Sequence, residues 1–197
     1  MAPQPTATGS GEERIKTESF FAAQPEPRAP TIPRTTKAEE VSKPRTGIKG
    51  FVMTLHRTDV GVGQTSTGTS RRSPEIFIPL SARNANPDFW KWPHAFIPDP
   101  SKQGKRDRSN VCMSLGGQII SVNMMTWPDK HDFRLRNETL RSAGSIGDIM
   151  RVEKVDDLAC GFEYYVEIIP EGTTQFSVYR ALCTEPVPNS GRYYGYY

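Results

Sequence analysis

The sequence predicts a mainly β domain that forms a small barrel or sandwich. Three observations lead to this fold class: the apolar, β-branched runs are short, turn residues separate them, and helical periodicity is scarce. Seven runs have the length and composition of strands. They cover residues 51–56, 76–80, 110–115, 118–125, 146–153, 161–169 and 175–183.

The third and fourth of these predicted strands form a hairpin. Gly116-Gly117 separates them, and a Gly-Gly pair supplies the positive φ angles that a two-residue turn needs. The sixth run alternates apolar and polar residues, as a half-buried strand does. Asn137 is a favourable N-cap for a helical turn over residues 137–142, and a second turn is expected over residues 87–91. We therefore predict one or two short helices among the strands.

The first 46 residues differ from the rest of the chain. Prolines recur at positions 3, 5, 25, 27, 30, 33 and 44, and Phe20-Phe21 with two alanines is the only apolar cluster. Such a segment cannot bury enough apolar surface to offset the entropy of ordering it. We predict a disordered Pro-rich tail or linker over residues 1–46 and one domain over residues 47–197.

Charge is unevenly distributed along the chain. The net charge is +3 and the sequence pI about 8.8. Residues 1–72 hold 11 Lys and Arg against 7 Asp and Glu, whereas residues 73–197 hold 14 against 15. This balance permits nucleic-acid binding without requiring it. Any nucleic-acid contact from the domain must therefore come from local clusters.

The spacing of the cysteines and histidines argues against the common disulfide and zinc frameworks. Cys112, Cys160 and Cys183 are odd in number, far apart and without a CxxC pair. The three histidines are equally dispersed, so we expect no metal and no other cofactor. There is no apolar N-terminal region and no run of membrane-spanning length. We expect a soluble, cytoplasmic protein without a membrane partner.

A long polar loop separates the first two predicted strands. Residues 61–75 combine three glycines, two Ser-Thr runs, a glutamine and an arginine pair. Glycine allows close backbone approach, and hydroxyl, amide and guanidinium groups contact phosphates and base edges. We interpret the loop as a recognition arm; the alternative is a flexible surface loop. Its candidate contact residues are Gln64, Thr65, Ser66, Thr67, Thr69, Ser70, Arg71 and Arg72.

A second polar segment, residues 126–137, follows the predicted hairpin. Arg134 and Arg136 are two apart and share one side of an extended chain, with Phe133 and Leu135 on the other. A cationic face beside a core face is typical of a groove reader, because Arg binds guanine, Asn binds adenine and Asp accepts from cytosine. The alternative is an edge strand whose charges discourage aggregation. The candidate residues are Trp127, Lys130, His131, Asp132, Arg134, Arg136 and Asn137.

A third cluster of cations lies in a predicted loop after Pro98 and Pro100. It suits phosphate contacts without sequence preference; the alternative is that it only solvates the surface. Its members are Lys102, Lys105, Arg106 and Arg108.

Two aromatic blocks lie at residues 89–96 and 191–197. Large aromatic residues between strands usually fill the end of a barrel, which is what we expect of the first block in preference to base stacking. The second block either packs across the barrel or contacts a partner.

With these segments in view, the chain resembles the C-terminal effector domain of NgoFVII-type restriction endonucleases, which has the plant B3-type DNA-binding fold. Three places carry the resemblance over residues 47–183. They are the first arm leading into Ile76-Phe-Ile-Pro79, the Gly-Gly hairpin, and the second arm leading into residues 140–148.

The resemblance implies a seven-stranded open pseudobarrel whose two arms clasp the major groove of double-stranded DNA and read a short site. Gln64 to Arg72 would be the N-arm, and Trp127 to Asn137 the C-arm. It also implies the recognition part of a restriction or defence system, nucleoid-associated in a prokaryotic cytoplasm, with a nuclease or helicase subunit as a possible partner.

One departure from the family bears on catalysis. Full enzymes of the family carry a phospholipase D-like nuclease domain with a His-x-Lys motif. Here His56, His94 and His131 are each followed two positions later by a residue other than Lys. We therefore expect a chain that binds DNA without cutting it.

Two other functions remain open at this point. One is a β-barrel module that binds a protein or small ligand through the aromatic blocks. The other is a catalytic domain whose residues are scattered along the sequence. Steep weakening of binding with salt would favour DNA over an aromatic protein interface.

Overall fold

The fold is known from a computed structural model that describes residues 47–61, 74–127 and 132–197. The predicted tail, residues 1–46, lies outside the described residues. All described residues fall within one compact unit, Val41–Tyr197.

The chain is mainly β, with ten strands and three short α-helices in the described ranges. The strands are β1 (Gly50–Thr54), β2 (Glu75–Pro79), β3 (Ile97–Pro98), β4 (Arg106–Leu115), β5 (Gln118–Thr126), β6 (Asp132–Arg136), β7 (Ile149–Lys154), β8 (Tyr164–Ile169), β9 (Glu185–Pro186) and β10 (Tyr193–Tyr196). The helices are α1 (Leu80–Ala85), α2 (Glu138–Ser142) and α3 (Thr174–Leu182), and 3₁₀ turns cover Pro87–Trp90 and Leu158–Cys160.

The strands form one curled, open sheet in the order β2-β6-β5-β4-β8-β7-β1-β10-β9, with β3 paired to β4. All pairs are antiparallel except β4 with β8. Trp90 shows how far the sheet curls, because its ring contacts Phe51 of β1 and Phe133 of β6, with centroids 5.3 and 5.2 Å away. Strands from distant parts of the sheet thus share one core, which confirms the predicted class of β pseudobarrel.

A smaller apolar cluster covers the outer face of the sheet at β1, β7 and β8. Val52, Ile149 and Ile169 are buried there beneath α3. Phe176 and Tyr179 of α3 are three residues apart and pack onto this cluster, so their spacing follows the helical period. The prediction of a strand over residues 175–183 is therefore wrong.

Several predicted elements are confirmed, although the sheet has ten strands where seven were predicted. β4 and β5 pair in register around Gly116 and Gly117, whose φ angles are +57° and +81°. The side chain of Asn137 caps α2 by accepting from the backbone N–H of Leu140 at 2.8 Å. Neither α1 nor the strands β3, β9 and β10 were predicted, and β6 was expected only as an extended segment of the second arm. The α-helices number three where one or two short helices were expected.

A buried ion pair closes the open edge of the sheet at β2. The Asp59 carboxylate accepts from the backbone N–H of His56 at 2.9 Å and of Phe77 at 3.0 Å. Arg192 Nη1 lies 3.2 Å from Asp59 Oδ1 and donates to the Phe77 carbonyl at 2.6 Å. Asp59 and Arg192 thus bond the main chain of an edge strand much as a neighbouring strand would. They join β2 to the segment that enters β10.

The cysteines differ sharply in exposure, which gives a direct test of the fold. Burial raises the pKa of the Cys183 thiol to about 11, whereas Cys160 is exposed. Because the thiolate is the nucleophile, we expect iodoacetamide at pH 8 to alkylate Cys160 in the folded protein while Cys183 reacts only after denaturation. Peptide mass spectrometry after timed labelling measures both rates, and equal rates would contradict this packing.

No helix among the described residues is both long and apolar enough to cross a membrane.

Candidate nucleic-acid interface

The two predicted arms leave the sheet at opposite ends of the β2–β6 pair. In that register Glu75 lies opposite Arg136 and Pro79 opposite Asp132. The first arm enters β2 just before Glu75, and the second leads into β6 at Asp132. Strand geometry of about 3.4 Å per residue places these two ends about 14 Å apart. Both arm tips, residues 62–73 and 128–131, lie outside the described residues, and with them Gln64 to Arg72, Lys130 and His131.

The outward face between the arms carries the predicted arginines. Phe133 and Leu135 are fully buried in the core, whereas Arg134 is half-buried and Arg136 exposed, which confirms the predicted division of β6 into two faces. β6 pairs with both β2 and β5. The alternative of an edge strand is therefore wrong, because β6 lies inside the sheet.

Arg134 is held in place by its neighbours on this face. It donates from Nη1 to Glu75 Oε2 at 2.8 Å. Its guanidinium carbon lies 4.8 Å from the centre of the Phe77 ring and 4.9 Å from that of Trp127. Stacking on two rings restricts the orientation of the planar guanidinium, which is the arrangement that directional, two-point hydrogen bonding requires.

Arg136 and Asn137 differ in the bonds that their side chains make within the protein. Arg136 is exposed and forms no ion pair with any other described residue. Asn137 donates from Nδ2 to the Ser121 carbonyl at 2.9 Å and accepts from the Leu140 N–H. Both polar groups of Asn137 therefore support local structure, and base contact by Asn137 stays a prediction. Asp132 is the first residue of β6.

The two ends of the first arm meet the segment that carries α2. The backbone N–H of Asn137 donates to the Pro74 carbonyl at 2.9 Å, where the arm ends. Gly61, where the arm begins, has a φ of +77°, and a Cβ there would collide with the guanidinium of Arg141. The positive φ favours glycine at this position, whereas the flexible end of the Arg141 side chain can shift to admit a Cβ.

The third cluster divides into internal and exposed cations. Lys105 is buried and pairs with the carboxylates of Asp99 and Asp107, and its hydrogen bond holds the pKa of Asp99 well below the usual range. Arg108 is buried and pairs with Glu163. Lys102 is exposed in the turn before β4, and Arg106 is the first residue of β4. The prediction that this whole cluster is a loop is wrong from Arg106 onward.

The aromatic blocks are largely internal. Phe89, Trp90 and Phe96 are buried, as the barrel-filling interpretation predicted, and so is Tyr194 of the second block. The interpretation of these particular side chains as a partner-binding surface is therefore wrong. Trp90 donates to the hydroxyl of Tyr196 at 2.8 Å, which ties the two blocks together.

Sequence reasoning missed Arg83. It lies on α1 with 5% of its surface exposed, and it donates to Thr126 Oγ1 at 2.8 Å. Thr126 is the last residue of β5 and directly precedes the second arm. Nothing in the sequence around Arg83 distinguishes it from a surface arginine, so only the fold reveals its position.

Among the described ranges, no group of three or more His, Cys, Asp or Glu side chains is arranged to hold a metal ion.

Comparison with known proteins gives a likeness in structure but none in sequence. No protein-family model matches the sequence. No curated protein matches it either. The structure is similar to the N-terminal domain of Helicobacter pylori LlaJI.R1, with a TM-score of 0.43 and 14% sequence identity over 74% of this chain and 96% of that chain.

Proposed function

We propose that this chain is a sequence-specific double-stranded DNA-binding module that reads a short site in the major groove. The observation that carries the proposal is the placement of the two arms at opposite ends of the β2–β6 pair. Arg134 and Arg136 face outward between them. The arm stems are about 14 Å apart, which is comparable with the roughly 12 Å width of the major groove.

The arms and the face between them divide the recognition between base edges and backbone. Gln64, Arg71 and Arg72 of the first arm and Arg134 and Arg136 of the second supply base contacts, since guanidinium and amide groups make two-point hydrogen bonds in the major groove. The Ser and Thr hydroxyls of the first arm, with Lys102, contact phosphates and fix the register.

The charge balance favours specificity over general affinity. Residues 73–197 are nearly neutral, and Arg134 is paired with Glu75. Nonspecific DNA affinity scales with the number of phosphates that cations neutralise. We therefore infer that nonspecific DNA binding is weak and that the preference for one site comes from specific contacts to base edges.

The chain acts as the recognition part of a restriction or defence system, and a nuclease or helicase subunit supplies the activity on DNA. Support for this role comes from the resemblance of both arms and the hairpin to B3-type effector domains.

A selection of bound duplexes from a random pool tests the proposal, with the full chain at physiological salt. Enrichment of one short site supports it. Loss of all enrichment, with only weak salt-sensitive binding, contradicts it and favours a protein-binding barrel.

Arg136→Ala tests the outward face. We expect the selected duplex to bind about 1–3 kcal/mol more weakly and the preference at one base pair to relax, because a base-reading arginine is removed. Competition binding against single-base variants measures both effects. Lys154→Ala, which removes an exposed cation from β7, is the matched control and leaves the preference unchanged. If Arg136→Ala and Lys154→Ala have equal effects on affinity and base preference, Arg136 is not part of the interface.

A further inference from the structure

Arg83 is a buried cation whose described partners are all neutral. It donates from Nη1 to Thr126 Oγ1, and from Nε and Nη2 to Asn84 Oδ1 at 3.2 and 2.7 Å. Its guanidinium carbon stacks 3.9 Å from the centre of the Trp92 ring. A guanidinium carries five N–H groups, so each terminal nitrogen keeps a second N–H beyond these bonds.

Arg106 brings a second positive charge to the same place. It lies opposite Thr126 in the β4–β5 register, and its guanidinium carbon is 5.9 Å from the centre of the Trp92 ring. The two guanidinium groups therefore share one aromatic neighbour and one strand residue. Neither forms an ion pair with a carboxylate of the described residues.

Arg108, the other buried arginine of the described chain, has a carboxylate partner in Glu163. Arg192 and Arg151 are less completely buried, and they pair with Asp59 and with two glutamates. Burial without such a partner is costly, and desolvation lowers the pKa of Arg83 to about 10, which still leaves it charged at neutral pH. An anion beside Arg83 and Arg106 would supply the missing negative charge.

We propose that Arg83 and Arg106, arranged around Trp92, form a phosphate-binding site at the root of the second arm. Half-buried Arg106 makes the direct contact, and Arg83 beneath it raises the local positive potential and offers its remaining N–H groups. Because Thr126 leads directly into Trp127, a phosphate bound here would fix the second arm against the DNA backbone. The assignment of that phosphate to DNA rests on the proposed function.

Arg106→Gln tests the site through the salt dependence of DNA binding. We expect roughly fivefold weaker binding at 0.15 M salt for selected and unrelated duplexes alike, and a slope of log K against log salt that is smaller by about 0.9. Arg180→Gln is the matched control, because Arg180 is also half-buried, stacks 4.7 Å from the Tyr193 ring and lies on α3. Unchanged binding by the control is expected.

A second measurement separates free phosphate from DNA as the source of the anion. The midpoint of thermal unfolding is compared in inorganic phosphate and in chloride at equal ionic strength. We expect phosphate to raise the midpoint of the wild-type protein and of Arg180→Gln, and to have less effect on Arg106→Gln.

The two measurements keep the proposals distinguishable. If the wild-type protein binds DNA and Arg106→Gln matches Arg180→Gln in both measurements, the phosphate site is overturned while the DNA-binding function stands. If the wild-type protein binds no duplex but phosphate protection depends on Arg106, the DNA-binding function is overturned and the site binds a phosphate from another source. If the wild-type protein binds no duplex and phosphate protection does not depend on Arg106, both proposals are overturned.

Discussion

We expect Arg192→Ala to lower the free energy of unfolding by about 3–5 kcal/mol. The substitution leaves the Asp59 carboxylate, which is 0% exposed, without its cation. It also removes the 2.6 Å hydrogen bond to the Phe77 carbonyl on the edge strand β2. Urea unfolding followed by tryptophan fluorescence measures the change, and m-values show whether the transition stays two-state.

Asp59→Ala and the double variant complete the test. Asp59→Ala also removes the acceptor of the His56 and Phe77 N–H groups, so its effect is expected to be at least as large. The double variant should cost less than the sum of the two single variants, because each single one strands a buried charge. Asp156→Ala, at an exposed position, is the control and is expected to change stability by less than about 0.5 kcal/mol. Single-variant effects no larger than this control would show that the pair does not close the sheet.

The second large effect is expected for Trp90→Ala, which should also lower the free energy of unfolding by about 3–5 kcal/mol. Trp90 is fully buried and makes edge-to-face contacts with Phe51, Phe89 and Phe133. Alanine leaves a cavity where strands from distant parts of the sheet meet. Circular dichroism during urea unfolding measures the change without relying on the fluorescence of the removed indole.

Tyr196→Phe separates the polar contribution of this site from its packing. It keeps the ring but removes the hydroxyl that accepts from Trp90 Nε1 and donates to the Ala82 carbonyl at 2.6 Å. The unpaired polar groups should cost about 1–3 kcal/mol, less than the cavity. A smaller loss for Trp90→Ala than for Tyr196→Phe would contradict the central role of the indole.

The sequence predicted the parts of the fold where local chemistry determines structure. The Gly-Gly turn fixes the β4–β5 hairpin, and Asn137 caps α2 with its own side chain. A strand was wrongly predicted over residues 175–183 because Phe176, Val178 and Tyr179 are residue types that favour strands. Its helical conformation depends on burial of Phe176 and Tyr179 against β1, β7 and β8, which no local signal reveals.

Some features of the candidate site could likewise be predicted from local sequence, whereas others depend on the whole fold. Alternation along β6 was enough to place Arg134 and Arg136 on one face and Phe133 and Leu135 on the other. The internal pairing of Lys105 was not predictable, because it depends on how the turn before β4 folds back. The position of Arg83 beside Thr126 joins residues 43 apart in sequence, so it depends on the whole sheet.

The position of β1 in the sheet has a consequence for how the protein folds. β1 pairs with β7 on one side and with β10 on the other, so the first strand gains both partners only from segments about 100 residues or more further along the chain. Neighbouring strands such as β4–β5, β5–β6 and β7–β8 pair locally, whereas β1 enters the sheet only after long loops have closed. Because closure of loops this long precedes the contacts that stabilise β1, this topology favours slow, cooperative completion of the sheet.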